Sequence, residues 1–127
     1  MSIVLPMCRP KQGWENCLKE NMQLLDIEFN YSISIQYIIV NDGFENEHLL
    51  SLFDVIQQSE ANVKFISYQE NMGKGYALRT GVATAAAAVI IITDLDFPYE
   101  AKDIKNVHAL LVSGNEIVTG KRKAEYY

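Results

Sequence analysis

The chain has 127 residues, of which 49% are hydrophobic and 21% are charged, and its formal net charge is -5. These values are typical of one globular domain with its own hydrophobic core. The acidic balance argues against non-specific binding to nucleic acid, which needs a basic surface. No signal peptide or membrane span is predicted, because the longest apolar run, residues 82–93, is shorter than the ~20 residues of a membrane helix. We expect a cytoplasmic protein, with a peripheral position at a membrane as the alternative.

The two cysteines, Cys8 and Cys17, form neither a zinc-ligand pattern nor a CxxC pair. Two reduced thiols are the preferred interpretation in a cytosolic protein. A short disulfide between them is the alternative.

Apolar runs alternate with segments of helical periodicity, and this order predicts an α/β domain with an open, mostly parallel sheet and helices on both faces. The predicted strands cover residues 3–5, 34–40, 63–68, 89–93 and 116–119. The predicted helices cover about residues 12–25, 46–58, 76–88 and 100–112. Each helix has an apolar stripe that should face the sheet. In chain order these stripes are Trp14, Leu18, Met22 and Leu25; Leu49, Phe53 and Ile56; Leu78, Val82 and Ala85, with Gly81 allowing close approach; and Ile104, Val107 and Leu111.

Polar residues and glycines follow the predicted strands at their carboxyl ends. They are Pro6 to Arg9, Asn41 to Gly43, Asn71 to Gly75, and Asp94 to Asp96. Open α/β sheets bind ligands at this edge, at the point where the strand order reverses. Several separate loops should therefore converge on one crevice.

Asp94 and Asp96 directly follow the most strand-like run of the sequence. In an extended segment, residues i and i+2 point the same way, so both carboxylates would face one point while Leu95 turns to the core. Such a pair suits a hard divalent cation that also holds phosphate oxygens. The alternative is a helix N-cap and a solvated turn before Pro98.

Gly73, Lys74 and Gly75 precede the third predicted helix. Backbone N–H groups and a lysine at a helix start can bind an anion, although a plain loop-to-helix turn is the alternative. The spacing is not that of a P-loop, and no GxGxxG follows the first strand. Lys74 is preferred over Arg79 for the site, because the two lie poorly on one helix face. His108 is interpreted as a packing residue.

Four ordered motifs resemble those of family 2 glycosyltransferases with the GT-A fold, in particular the branch with polyprenyl-phosphate or polysaccharide acceptors. The matching segments are Ile39-Val40-Asn41-Asp42-Gly43 with V-D-D-G-S, Asn71 to Gly81 with N-x-G-K-G-x-A-x-x-x-G, Asp94 to Pro98 with D-x-D and its nearby proline, and Ile117 to Arg122 with V-V-x-G-S-R. Asn41 stands where the family has its first aspartate, and Phe44 where it has serine.

The resemblance implies a Rossmann-like, three-layer fold and a nucleotide-diphosphate sugar, a UDP-sugar in the first instance, as donor. Pro6 would line the nucleotide pocket, Asp42 would contact the base, and Lys74 would lie near the base or diphosphate. Asp94 would bind the ribose or sugar and, with Asp96, the Mg²⁺ or Mn²⁺ ion. The acceptor would be a lipid-linked or polysaccharide hydroxyl, and a lipid-linked acceptor would be associated with a membrane. From the residues themselves, Asp42 could instead be a turn residue before Gly43.

Family members are generally about twice as long as this chain, whose residues 1–127 would form one GT-A-like domain without the acceptor-binding half. No catalytic base can be assigned, so the alternative to a transferase is a catalytically incomplete nucleotide-sugar-binding module or subunit. A sugar-phosphate nucleotidyltransferase is a weaker third hypothesis, because its glycine- and arginine-rich opening is absent. An open sheet edge would favour a homodimer or a partner subunit.

Overall fold

Strands and helices alternate along residues 1–121, the part of the chain that the computed structural model describes. The strands are β1 (Ser2–Met7), β2 (Gln36–Asp42), β3 (Val63–Tyr68) and β4 (Ile90–Ile92). The helices are α1 (Trp14–Glu28), α2 (Glu47–Ser59), α3 (Lys74–Thr84) and α4 (Ala101–Val112). Within these residues, the α/β prediction is confirmed, and so are the bounds of the third strand.

All strand pairings in the described part of the chain are parallel, and the strand order is β3-β2-β1-β4. The chain moves outward from β1 through β2 to β3 and then returns to place β4 on the other side of β1. The order therefore reverses between β1 and β4, which is where an open α/β sheet leaves a crevice at its carboxyl edge.

Two apolar clusters cover the two faces of the sheet. On one face, α1, α2 and α4 cover strand residues such as Ile3, Leu5 and Ile39. On the other face, α3 covers Val4, Ile38 and Val40 through its buried Ala77. The predicted stripes of α1 and α2 are buried throughout, and in α4 the buried residue is Ile104. Helices on both faces make the three predicted layers.

Helix α3 differs from its prediction at both ends. It begins two residues earlier than predicted, at Lys74, and it ends at Thr84, with Ala85 in an extended conformation. The helix stops there because the backbone N–H groups of Ala86 and Ala87 donate to side chains of the sheet, Gln36 and Ser2. The sequence reads as helix through the alanines, but these tertiary hydrogen bonds override the local propensity.

The inward face of α3 is also displaced from its prediction. Ala77 and Gly81 are its buried residues, whereas Val82, predicted to face the sheet, is 37% exposed. Leu78 and Ala85 pack against the cluster while partly buried. The small residues face inward because α3 lies so close to the sheet that a larger side chain would not fit there.

The prediction of a fifth strand at residues 116–119 is wrong. These residues have no strand conformation, and the side chain of Ile117 is 83% exposed. They line an apolar cavity of about 730 Å³ together with β4 and α4. A strand needs a neighbour about 4.8 Å away, and here the cavity separates the segment from the edge of β4. Arg122, the last residue of the fourth motif, lies outside the described residues.

Among the described helices, none combines the length and the hydrophobicity that crossing a membrane requires.

The close approach of α3 to the sheet can be tested at Gly81. A β-carbon there would lie 2.3 Å from Cγ1 of Val4 and 3.2 Å from Cγ2 of Val40. We expect Gly81→Ala to lower the free energy of unfolding by about 1–3 kcal/mol through overpacking. Gly75→Ala is the matched control, because the nearest atom to its β-carbon is the Arg79 guanidinium at 3.6 Å. Urea unfolding measures both variants, and equal stabilities would contradict the proposed steric limit.

Candidate functional site at the carboxyl edge of the sheet

A cleft of about 430 Å³ lies at the carboxyl ends of β1 and β4, where the strand order reverses. The loop between β1 and α1 forms one wall, and the loop after β4 forms the other. The residues lining the cleft are Pro6 to Trp14, Cys17, and Asp94 to Asp96. Three predicted site residues, Pro6, Asp94 and Asp96, therefore share one cleft.

Asp94 and Asp96 reach the cleft from a turn rather than from an extended strand. The Phe97 N–H donates to the Asp94 carbonyl oxygen at 3.0 Å, which closes the turn, and Phe97 has a positive φ of 48°. Both aspartates are exposed, while Leu95 packs against the core as predicted. The extended geometry predicted for this pair is wrong, because β4 ends at Ile92. Of the alternative, the helix N-cap is wrong, since Glu100 is the residue that caps α4, whereas the solvated turn before Pro98 is confirmed.

Lys74 extends from the first turn of α3 to the cleft. Its Nζ lies 2.7 Å from Oδ1 of Asp94, and the two side chains are 63% and 54% exposed. An ion pair with this exposure contributes only about 0–1 kcal/mol to stability, so either partner can exchange it for a ligand at low cost. Within residues 1–121, no side chain caps the N-terminus of α3, so its first backbone N–H groups have no capping side chain.

Asp42 is the last residue of β2 and only 4% exposed. Its Oδ1 accepts hydrogen bonds from the Tyr68 hydroxyl at 2.8 Å and from the Met72 N–H at 2.8 Å. Both predicted roles for Asp42, a ligand contact and a turn residue before Gly43, placed it after the strand. In the structure it is instead part of the strand. Tyr68 was not among the predicted site residues, because its place opposite Asp42 depends on the β2–β3 register, which the sequence does not show.

Asn71 links Asp42 to the cleft. Its Nδ2 donates to the Asp42 carbonyl oxygen at 3.2 Å and contacts Sγ of Cys8, which lines the cleft, at 3.3 Å. Gly43 makes this approach possible, because a β-carbon there would lie 2.1 Å from the Asn71 nitrogen and its φ is +71°. The five predicted site residues therefore belong to one connected edge of the sheet.

The other residues considered in the sequence analysis are Arg79, His108 and the two cysteines. Arg79 is exposed on α3, as expected for a residue outside the site. His108 packs edge-on against Phe29 at 5.2 Å between ring centroids, and burial is the main reason that its pKa is lowered. Cys8 and Cys17 are free thiols in the structure.

A divalent cation fits this site only with help from a ligand. Within residues 1–121, no group of three or more His, Cys, Asp or Glu residues is placed to hold a metal. Mg²⁺ commonly binds through one or two carboxylates together with substrate phosphates and water. The exposed carboxylates of Asp94 and Asp96 meet that requirement, so the donor set suits a cation shared with a phosphate.

The comparison with known proteins assigns the family. The model of glycosyl transferase family 2 matches residues 2–127. The chain belongs to glycosyltransferase family 2. The parallel sheet of this glycosyltransferase domain, with helices on both faces, agrees with the Rossmann-like GT-A fold.

Two curated relatives of the glycosyltransferase domain are much longer than this chain. An uncharacterized glycosyltransferase from Synechocystis is 28% identical over 124 residues, which are 98% of this chain and 38% of the relative. A dolichyl-phosphate beta-glucosyltransferase from Dictyostelium discoideum is 24% identical over 133 residues, covering 96% of this chain and 39% of the relative. The chain thus spans about two fifths of the length of these relatives.

The turn beside Asp42 needs an amide at position 41. Asn41 is fully buried, and its Nδ2 donates to the Phe44 carbonyl oxygen and to Ser67 Oγ. Asn41→Asp would remove both donations and place a carboxylate against that carbonyl, so we expect a loss of about 1–3 kcal/mol in unfolding free energy.

The control for this substitution is Asn46→Asp. Asn46 is the exposed N-cap of α2 and only accepts a hydrogen bond, from the Leu49 N–H at 2.7 Å. Aspartate caps a helix about as well as asparagine, so this variant should keep its stability. Chemical denaturation distinguishes the two, and an unchanged midpoint for Asn41→Asp would disprove the role of the amide.

Proposed function

We propose that this domain binds a UDP-sugar together with Mg²⁺ or Mn²⁺ and that the sugar is transferred to the hydroxyl of a lipid-linked or polysaccharide acceptor. The proposal depends mainly on one observation. Two exposed carboxylates, Asp94 and Asp96, line a cleft at the reversal of strand order, and a lysine from a helix start contacts one of them. Membership of glycosyltransferase family 2 supports glycosyl transfer as the reaction.

Each part of the donor has a candidate partner along this edge. Asp42 would accept a hydrogen bond from the base, and Pro6 would line the nucleotide pocket. Asp94 would bind the ribose or sugar and contribute to the metal site, and Asp96 would coordinate the metal. A cation bound by these carboxylates would neutralise the negative charge that develops on the departing nucleoside diphosphate.

Lys74 would exchange partners when the diphosphate binds. In the structure it pairs with Asp94, and both side chains are more than half exposed. Because such a pair is weak, a doubly charged diphosphate competes with it easily. The lysine would then hold a phosphate oxygen, and Asp94 would become free for the ribose, sugar or metal.

The nature of the acceptor is suggested by one relative. The Dictyostelium protein, by its name, acts on dolichyl phosphate, and we extend a lipid-linked acceptor to this chain as part of the proposal. Association with a second copy or a partner subunit also belongs to the proposal. It is supported by the apolar cavity beside β4, where Ile92 is 49% exposed.

A binding module without turnover is the second candidate, and one observation favours it. Among the described residues that line the cleft, the only carboxylates are Asp94 and Asp96. If both serve the metal and donor, none of these is left to deprotonate the acceptor, and loss of a general base costs about 10²–10⁴ in rate. Release of UDP from a UDP-sugar in the presence of candidate acceptors decides between the two, because only a transferase accelerates it.

The metal assignment is tested by calorimetry. We expect UDP to bind with Mn²⁺ or Mg²⁺ and to bind much more weakly after chelation. Asp96→Asn should weaken UDP binding in saturating Mn²⁺ by at least about tenfold, the loss that even an outer-shell partner of a metal can cause. Asp54→Asn, on the exposed face of α2, is the control with the same change of charge. Metal-independent UDP binding by the unaltered protein would refute the metal site.

The diphosphate assignment is tested at Lys74. We expect Lys74→Gln to weaken UDP binding about fivefold, equivalent to about 1 kcal/mol for one exposed charge-assisted hydrogen bond. Binding of uridine, which has no phosphate, should not change. Lys64→Gln removes another exposed lysine, on β3, and controls for net charge. An equal loss for uridine and UDP would place Lys74 at the base instead.

A further inference from the structure

The carboxylate of Asp42 is held asymmetrically. Oδ1 accepts two hydrogen bonds, from Tyr68 and from the Met72 N–H, each at 2.8 Å. Within residues 1–121, no group donates to Oδ2, yet Oδ2 is not among the fully buried polar atoms that lack a partner. One oxygen is therefore saturated by the protein, while the other keeps contact with solvent at the carboxyl edge of the sheet.

Tyr68 is well suited to fix this orientation. It lies directly opposite Asp42 in the register between β2 and β3. Its ring packs against the α3 side of the sheet and meets the ring of Tyr76 edge-on, with centroids 5.3 Å apart. Burial and the hydrogen bond to Asp42 raise its pKa above the ordinary tyrosine value, so the hydroxyl stays protonated and can donate at neutral pH.

The charge of Asp42 is not neutralised by a neighbouring cation. In the described part of the chain, the ion pairs involve Asp94, Glu100 and Glu28, and none involves Asp42. Its Oδ2 therefore remains a strong acceptor in a nearly buried place. A neutral N–H donor would match it, whereas another acceptor would be repelled.

We propose that Tyr68 is a positioning residue for base recognition: it turns Asp42 so that Oδ2 alone faces the nucleotide and selects a base with an imide N–H, as in uracil. This inference rests on the proposed function. The backbone N–H of Met72 supports the same oxygen and precedes α3 by two residues. Asp42, the residue proposed to recognise the base, is thereby hydrogen-bonded to the loop that precedes α3, the helix that carries Lys74.

The test compares UDP with N3-methyl-UDP, in which a methyl group replaces the imide hydrogen, by calorimetry in Mn²⁺ on the full chain. The unaltered protein should prefer UDP. Tyr68→Phe keeps the ring but removes one of the two donors to Oδ1, so the Met72 N–H alone still holds the Asp42 carboxylate, and we expect UDP to bind about tenfold more weakly. Binding of N3-methyl-UDP should change little, so the preference between the two ligands should nearly disappear.

Two further variants separate positioning from a structural role. Tyr76→Phe removes the hydroxyl of the adjacent ring, which donates to no group in the described residues, and it should keep the preference. In an Asp42→Ala background, adding Tyr68→Phe should change UDP affinity no further, because the carboxylate that Tyr68 positions is already absent. The comparison of UDP with N3-methyl-UDP on the unaltered protein tests the inference even if the Tyr68 variant proves unstable.

The outcomes are distinguishable. If the unaltered protein binds neither nucleotide, the proposed function itself fails. If it binds both equally, Asp42 does not recognise the imide, and the inference is overturned. If Tyr68→Phe weakens both ligands by the same factor, or leaves the preference intact, Tyr68 has a structural role only and the inference is likewise overturned.

Discussion

The site depends on the reversal of strand order beside β1. Parallel strands end at the same edge of a sheet, so each loop that follows a strand begins near the others. Between β1 and β4 the following loops diverge, because the chain has passed from one side of β1 to the other. The cleft is therefore a product of connectivity, and the side chains that line it need only be polar and correctly placed.

The charged side chains at this edge of the sheet are mostly exposed, so a ligand can replace their present partners. Asp94, Asp96 and Lys74 are exposed, so solvent screens their interactions and a ligand can replace them at low cost. Asp42 is nearly buried and held by two donors on one oxygen. One end of the candidate site thus has fixed hydrogen-bond geometry, while the other has exposed charges, which suits a ligand with a rigid ring and a flexible, highly charged tail.

Sequence periodicity correctly predicted the helices and strands whose position depends only on burying an apolar face. Helix α1 has a continuous apolar stripe, and all four of its residues are buried as expected. The prediction failed where distant groups decide the conformation. Helix α3 ends at Thr84 because Gln36 and Ser2 bind the following N–H groups, and residues 116–119 form no strand because a cavity separates them from β4.

In the candidate site, too, some features could be predicted from the sequence and others depend on contacts between distant residues. The clustering of Pro6, Asp94 and Asp96 could be predicted, because it requires only that parallel strands share an edge. The hydrogen bond from Tyr68 to Asp42 could not be predicted, since it depends on the register between two strands that are separated by 20 residues along the chain. The turn at Asp94 could be predicted only as an alternative to an extended segment, because strand propensity does not show where β4 ends.

The two free thiols that line the cleft can be used to detect whether the cleft is occupied. Cys8 is exposed on one wall, and Cys17 lies on the same wall with its sulfur 3.7 Å from the Asp96 carbonyl oxygen. A molecule that fills the cleft must cover at least part of this sulfur-bearing surface. The rate at which a maleimide dye labels the native chain therefore measures occupancy directly, without engineered cysteines and without knowledge of the natural ligand.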